Sequence, residues 1–283
     1  MYDRNVHTIL GCDNDYDESK IVVFGAPFDG TTSYRPGARF ASAAIRNESY
    51  SIETYSIYQD KDLEDICVFD SGDLELPFGN VPKILDKIEK FALKLMNDGK
   101  IPLMIGGEHL VTLGAVRGAV KKHKDLHIIH FDAHADLRDE YLGEKLSHAT
   151  VIRRCWDLVG DNRIFQFGIR SGCREEIYWG RKHVETCFFN FANLGSIVEK
   201  LENKPVYLTI DLDVLDPSVF PGTGTPEAGG VSFDELLNAI EQVSKLNIVA
   251  LDITELSPPL DPTGASTVLA YKLLREILLL IYR

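Results

Sequence analysis

LHIIHFDAHAD, residues 126–136, is a short apolar run that opens directly onto Asp132, His134 and Asp136. VYLTIDLD, residues 206–213, repeats the arrangement and ends on Asp211 and Asp213. An apolar run of this length reads as a buried strand. On an extended segment the side chains at i, i+2 and i+4 project to one side. The spacing therefore predicts that five ligand-type side chains, four of them carboxylates, converge at the ends of two strands. Four carboxylates at close range repel one another unless cations lie between them. The two stretches point to a metal centre, with two ions as the fitting number.

Working outward, apolar β-rich runs alternate with helical patterns along most of the chain. Strands are predicted at 21–27, 66–70, 101–107, 126–134, 163–170, 187–191, 206–213 and 247–256. Helices are predicted at 81–99, about 110–122, 148–159, 193–202, 231–246 and 263–282. Ser232 with Glu235 three positions on forms a capping box for the helix at 231–246. Such alternation implies βαβ units and a three-layer α/β/α architecture around a mostly parallel sheet. With no repeat, low-complexity tract or linker, residues 1–283 read as one domain.

The ligand-type residues share a position in this scheme. His109 follows the strand at 101–105, Asp132, His134 and Asp136 leave 126–131, Asp211 and Asp213 leave 206–210, and Glu255 leaves 247–252. All fall at the carboxyl ends of predicted strands, the edge where open α/β sheets build their sites. Four aspartates and two histidines without a thiolate make an oxygen-rich set, which favours Mn²⁺ over a structural zinc. Two such ions can bring the pKa of a shared water toward neutrality and hold the hydroxide as a nucleophile. A lone D-x-D after a strand is an ordinary turn or cap, and His127 and His130 read as packed core residues. The combination with GGEH upstream is different, because burying so many acids without a cation is prohibitive.

Composition narrows the setting. Thirty Lys and Arg against 43 Asp and Glu leave a formal charge of −13, which argues against a nucleic-acid partner. Five cysteines with no C-x-x-C pair read as reduced thiols. MYDRNVHTIL shows no secretory signal, and no apolar segment approaches the ~20 residues of a membrane span. The expectation is a soluble cytoplasmic protein with no membrane partner.

GGEHL (106–110), HFDAHADLR (130–138), SHAT (147–150), TIDLDVLDPSVFPGTGTPEAGG (209–230) and DITELSPPLD (252–261) resemble the ureohydrolase family of arginases and agmatinases. The likeness runs from GTTSYRPGARFASAAIR (30–46) to the C-terminal helix. It is greatest to the bacterial agmatinases, in HADLRDEYLGEKLSHAT and FGIRSGCREE. The resemblance implies the three-layer α/β/α fold, two Mn²⁺ ions per subunit, and hydrolysis of a guanidino group to urea and an amine. By motif position, His109 and Asp136 would hold one manganese and His134 and Asp213 the other, with Asp132 and Asp211 bridging. His148 takes the place of the proton-transfer histidine, and Glu255 that of the carboxylate that pairs with the guanidinium. A homo-oligomer, trimer or hexamer, is implied in the same way.

The chemistry suits these roles. A guanidinium is delocalised and a poor electrophile, so it needs a strong nucleophile already aimed at its central carbon. Glu255 can accept two of its N–H groups and fix that carbon. His148 can deliver a proton to the departing amine. The loop LRDEYLGEKLS (137–147) is acidic, and Asp139, Glu140 and Glu144 would repel a carboxylate and welcome a terminal ammonium. That favours agmatine, hydrolysed to putrescine and urea. Guanidinobutyrate, arginine and formiminoglutamate are the rival substrates, with Arg138 or Lys145 available to a carboxylate tail. A cation-binding relative without turnover is the reading from another class.

Overall fold

The computed structural model describes residues 7–283. The first six residues of the stretch read above for a secretory signal lie outside them. In chain order the elements are β1 (Ile21–Gly25), α1 (Ala41–Glu48), β2 (Tyr55–Ser56), β3 (Lys61–Asp62), β4 (Val68–Asp73), α2 (Val81–Asn97), β5 (Ile101–Ile105), α3 (Val111–Lys122) and β6 (His127–Phe131). There follow α4 (Val151–Val159), β7 (Ile164–Ile169), α5 (Arg174–His183), β8 (Glu185–Phe188), α6 (Leu194–Lys200), β9 (Pro205–Asp211), α7 (Phe233–Val243), β10 (Asn247–Thr254) and α8 (Ala265–Ile281). Strands β2 and β3 form a small separate hairpin. The other eight make one sheet in the order β4-β1-β5-β10-β9-β6-β7-β8. Every neighbouring pair in it is parallel.

The sheet is covered on both faces, which is why its strands read as continuous apolar runs rather than alternating ones. Ile129 and Phe131 of β6 pack with Leu208 and Ile210 of β9 under α1, α6, α7 and α8. Ile128 and Tyr207 point the other way, into the core beneath α2, α3 and α4. Two apolar layers thus sandwich the sheet, giving the expected three-layer α/β/α fold. The capping box predicted at Ser232 and Glu235 is present at the start of α7.

Differences from the predicted elements have local causes. α1 lies in a stretch for which no element was predicted, and α5 likewise went unpredicted. α5 is strongly polar, burying only Glu176 and Gly180 with Ile177 and Trp179 partly covered, so its sequence carries little helical periodicity. β8 ends at Phe188 rather than 191, because Phe189 turns into the left-handed region at φ 69°. The helix predicted from 148 begins as a 3-10 turn, His148–Thr150, before α4.

Candidate metal centre and active site

β5, β10, β9 and β6 are adjacent in the sheet, so the segments leaving their carboxyl ends share one rim. The way they converge differs from strand alternation. β6 ends at Phe131, and Asp136 adopts a left-handed conformation at φ 52°. The segment 132–136 is instead held by the chain leaving β7: Ala135 N–H donates to Ser171 O at 3.1 Å, and Ser171 N–H to Ala133 O at 2.9 Å. The turn at Asp136 offers its carbonyl to the N–H groups of Ile152 and Arg153 at the start of α4, leaving the side chain free to face inward. Asp211 caps a 3-10 turn by accepting the Asp213 N–H at 2.9 Å. Glu255 is also left-handed, at φ 64°. A glutamate there costs on the order of 1–3 kcal/mol, and such strain collects at functional sites.

The six predicted ligands come together as two groups with a shared member. His109 Nδ1 lies 3.1 Å from Asp136 Oδ2, 3.1 Å from Asp132 Oδ2 and 3.3 Å from Asp211 Oδ2. His134 Nδ1 lies 2.9 Å from Asp213 Oδ2 and 3.6 Å from Asp132 Oδ1. Asp132 therefore turns one oxygen to each group. Each of those oxygens also accepts one fixed hydrogen bond: Oδ2 from His130 Nε2 at 2.8 Å, Oδ1 from the His134 backbone N–H at 2.6 Å. One lone pair per oxygen remains for the centre of its group. Asp213 Oδ1 accepts the Ala133 N–H at 3.1 Å, whereas its buried Oδ2 has no hydrogen-bond partner. A buried carboxylate oxygen left so is costly unless a cation takes it. These residues fit a divalent pair.

The supporting network sets the histidine tautomers. Thr209 Oγ1 donates to Asp252 Oδ1 at 2.6 Å and so accepts from His109 Nε2 at 2.9 Å. In the neutral ring this leaves Nδ1 as a bare lone pair facing the three carboxylates. Gln166 Nε2 donates to His130 Nδ1 at 3.0 Å and to Ala135 O at 2.7 Å, which puts the ring proton of His130 on the side of Asp132. His130 thus orients a candidate ligand from the core, although it is close enough to the group to be considered as one. Gln166, His130, Thr209 and Asp252 are register partners across four adjacent strands, and Tyr207 also donates to Asp252. Arg170 ties down the β9 exit, donating to the carbonyls of Asp213 at 2.7 Å and Val214 at 3.1 Å, and to Glu227 at 2.8 Å.

Without a cation the electrostatics are unfavourable. Burial and the charge of Asp132 push Asp136 up to about 7. Burial together with Asp213 and Asp132 raises Asp211 well above the usual carboxylate range. Burial and then Glu108 push Glu255 up to about 8. Burial opposes protonation of His109 and His134, yet both are raised by their carboxylate neighbours. Positive charge is demanded at the centre of each group, and protons substitute for it.

The rim opens into a cavity of about 330 Å³ whose lining includes His109, His134, Asp136, Asp211, Asp213 and Glu255. Glu255 Oε1 accepts the His109 backbone N–H at 2.7 Å, which fixes the carboxylate in the cavity lining. His148 lines the same cavity behind its Ser147 cap, with Tyr141 edge-on at 5.7 Å and Ser33 Oγ 3.3 Å from Nε2. Burial, then the charges of His134 and His109, lower it to about 4, so it stands neutral at ordinary pH.

The acids expected to read the substrate tail are not in this cavity. Asp139 pairs with Arg154 at 2.7 Å, and with Glu140 it lines a separate neighbouring depression. Glu144 and Tyr141 exchange backbone hydrogen bonds across a turn, which swings Glu144 to solvent and Tyr141 inward. Lys145 is absent from the lining, whereas Arg138 contributes to it. The loop's charge therefore does not act where it was expected. The acid that lines the cavity from outside the predicted set is the buried Glu176, from the unpredicted helix α5, beside Cys173. Its one sequence signal is its place three residues after Cys173, the spacing of a helix cap.

The family model described as Arginase family matches residues 19–280. An agmatinase of Bacillus anthracis is 48% identical over 269 residues, covering 93% of this chain and 92% of the relative. The structure of the agmatine ureohydrolase of Thermoplasma volcanium has a TM-score of 0.90 at 37% identity, covering 98% of this chain and 94% of that one. A Clostridium difficile structure reaches 0.92 at 53% identity, covering 95% and 99%.

Proposed function

The chain belongs to the arginase family, and from that premise we propose that it hydrolyses agmatine to putrescine and urea at a binuclear manganese centre. The observation that carries this reading is the division of Asp132 between two groups, with Oδ2 toward His109 and Oδ1 toward His134. His109 and Asp136 would hold one ion, His134 and Asp213 the other, and Asp132 and Asp211 both. The oxygen-rich donor set suits Mn²⁺. A bound divalent pair supplies Lewis-acid activation of water near neutral pH.

The protein's own part is orientation and proton handling. Glu255, held through its Oε1, presents a carboxylate to the fork of guanidinium N–H groups and positions the central carbon over the rim. His148, neutral when substrate arrives, would take the proton given up by the attacking water and pass it to the nitrogen that leaves as amine. Glu176 lines the same cavity with both oxygens taken, by the N–H groups of Leu137 and Cys173. Arg138 would favour a carboxylate tail, but its Nε lies 3.5 Å from Glu176 Oε1 and its guanidinium stacks 4.5 Å over Tyr141. Its charge is already engaged, which supports agmatine over arginine or guanidinobutyrate.

The same reading takes residues 1–283 as one domain assembling into a homo-oligomer, trimer or hexamer, in the cytoplasm, where its five free cysteines stay reduced. Among the described residues no helix is long and apolar enough to cross a membrane. Urea release in Mn²⁺ buffer from agmatine, arginine, guanidinobutyrate and guanidinopropionate tests the substrate. Agmatine should be hydrolysed fastest at equal concentration. A faster reaction with arginine would overturn the assignment, and no urea from any of them would leave a non-catalytic binder.

A further inference from the structure

Glu108, next to His109 in GGEH, is fully buried at the carboxyl end of β5 and takes no part in either ligand group. Both of its oxygens are committed to one loop. Oε2 accepts the Thr31 N–H at 2.7 Å and the Thr32 hydroxyl at 3.2 Å, and Oε1 accepts the Thr31 hydroxyl. The loop is pinned again just before this point, where Glu108 N–H donates to Phe28 O at 2.7 Å. The approach there is so close that a Cβ at Gly107 would fall 1.9 Å from that carbonyl oxygen.

Thr31 then meets His148. Its hydroxyl hydrogen is spent on Glu108, so its oxygen is free to accept the His148 backbone N–H at 3.1 Å. Two residues on, Ser33 Oγ lies 3.3 Å from His148 Nε2. Glu108 therefore fixes the Thr31 hydroxyl in a hydrogen-bond chain in which the carboxylate accepts from Thr31 and Thr31 accepts from the His148 N–H. We infer that Glu108 is a positioning residue for His148, acting through the Thr31–Ser33 loop to hold the imidazole over the cavity. This rests on the role of His148 as proton carrier given above. A glutamine would replace it poorly, because its amide nitrogen donates and would leave the Thr31 hydroxyl hydrogen without its acceptor.

The test is a set of variants assayed on agmatine in Mn²⁺ buffer, with metal content measured on the desalted proteins. Glu108→Gln and Thr31→Val should each lower kcat about tenfold or more, part of the ~10²–10⁴-fold worth of a positioned proton carrier. KM and the two bound ions should stay near wild type, and Thr31→Ser, which keeps the hydroxyl, should retain the rate. In a His148→Ala background, Glu108→Gln should cost nothing further, as residues acting as a unit are non-additive. Thr31→Val leaves Glu108 in place, so it still tests the hydrogen-bond chain if the Glu108 variant folds poorly. An additive loss in the double variant, or metal loss in step with the rate, would overturn the inference while leaving the His148 reading intact. Full activity of His148→Ala alone would overturn both.

Discussion

Asp213 Oδ2 and His134 Nδ1 face each other at 2.9 Å, and the buried oxygen has no hydrogen-bond partner. Two acceptor atoms that close need a cation or a proton between them. In the proposed centre this point belongs to one of the two ions. Asp213→Ala should therefore purify with one bound Mn²⁺ rather than two, and Asp132→Ala, which removes the shared carboxylate, with still less. Elemental analysis after desalting measures this. Two ions retained in both variants would rule out the assignment.

Removing the cations should also reverse the usual acid side of the stability curve. Without them Asp136 sits at about 7 and Glu255 at about 8, far above the ~4 of an unfolded carboxylate. Between those values the folded state binds more protons than the unfolded chain, so stability is present at low pH and lost as pH rises through 7 to 8. His109 and His134, also raised, act in the same direction. Thermal melts of chelator-stripped protein should thus fall from about pH 6 to about pH 9, and Mn²⁺ should flatten the slope. Stripped protein that gains stability over this range would contradict the picture.

His148→Ala should lower kcat by about 10²-fold or more while both ions stay bound, since a general acid typically supplies ~10²–10⁴. The pair of measurements matters. Loss of metal with the rate would make His148 a structural residue of the centre.

Glu255→Gln exchanges a charged pair for a neutral one at the guanidinium. The carboxylate contribution to such a bidentate contact is on the order of 1.5–3 kcal/mol, so kcat/KM for agmatine should fall about 10- to 100-fold. Steady-state kinetics decide it, and an unchanged kcat/KM would remove Glu255 from substrate binding.

Arg170→Lys tests the support behind the ligands. The planar fork of Arg170 serves carbonyls of Asp213, Val214 and Glu227 together, which a lysine cannot reproduce. A lowered melting temperature and weaker Mn²⁺ retention are expected. Neither change appearing would show that the β9 exit holds its own shape.

What the sequence made legible was the rim. Runs such as LHIIHF and VYLTI, apolar on both faces, betray a covered parallel sheet, and residues just past such strands must gather at one edge. The placing of the six candidate ligands and Glu255 on one rim was readable for that reason, whereas His148, in a 3-10 turn before α4, came only from the family resemblance. The geometry between the ligands was not legible. Asp136 reaches His109 through a left-handed turn locked by α4 and the β7 exit, and no local pattern encodes that. Nor does periodicity single out Gln166 or Asp252, each a polar residue within a strand whose meaning comes from its cross-strand partner. The substrate mouth was the least legible part. Asp139 and Glu140 had suggestive charge, but side-chain direction in a loop follows its turn, and this one brings in Tyr141 while α5 brings Glu176.

A two-ion centre should turn agmatine over. Its most direct test is urea production by stripped protein as Mn²⁺ is titrated in. The rate should reach its plateau only as the second equivalent binds, with one equivalent of putrescine formed for each urea. A plateau at a single bound ion, or no urea from agmatine at any manganese level, would contradict it.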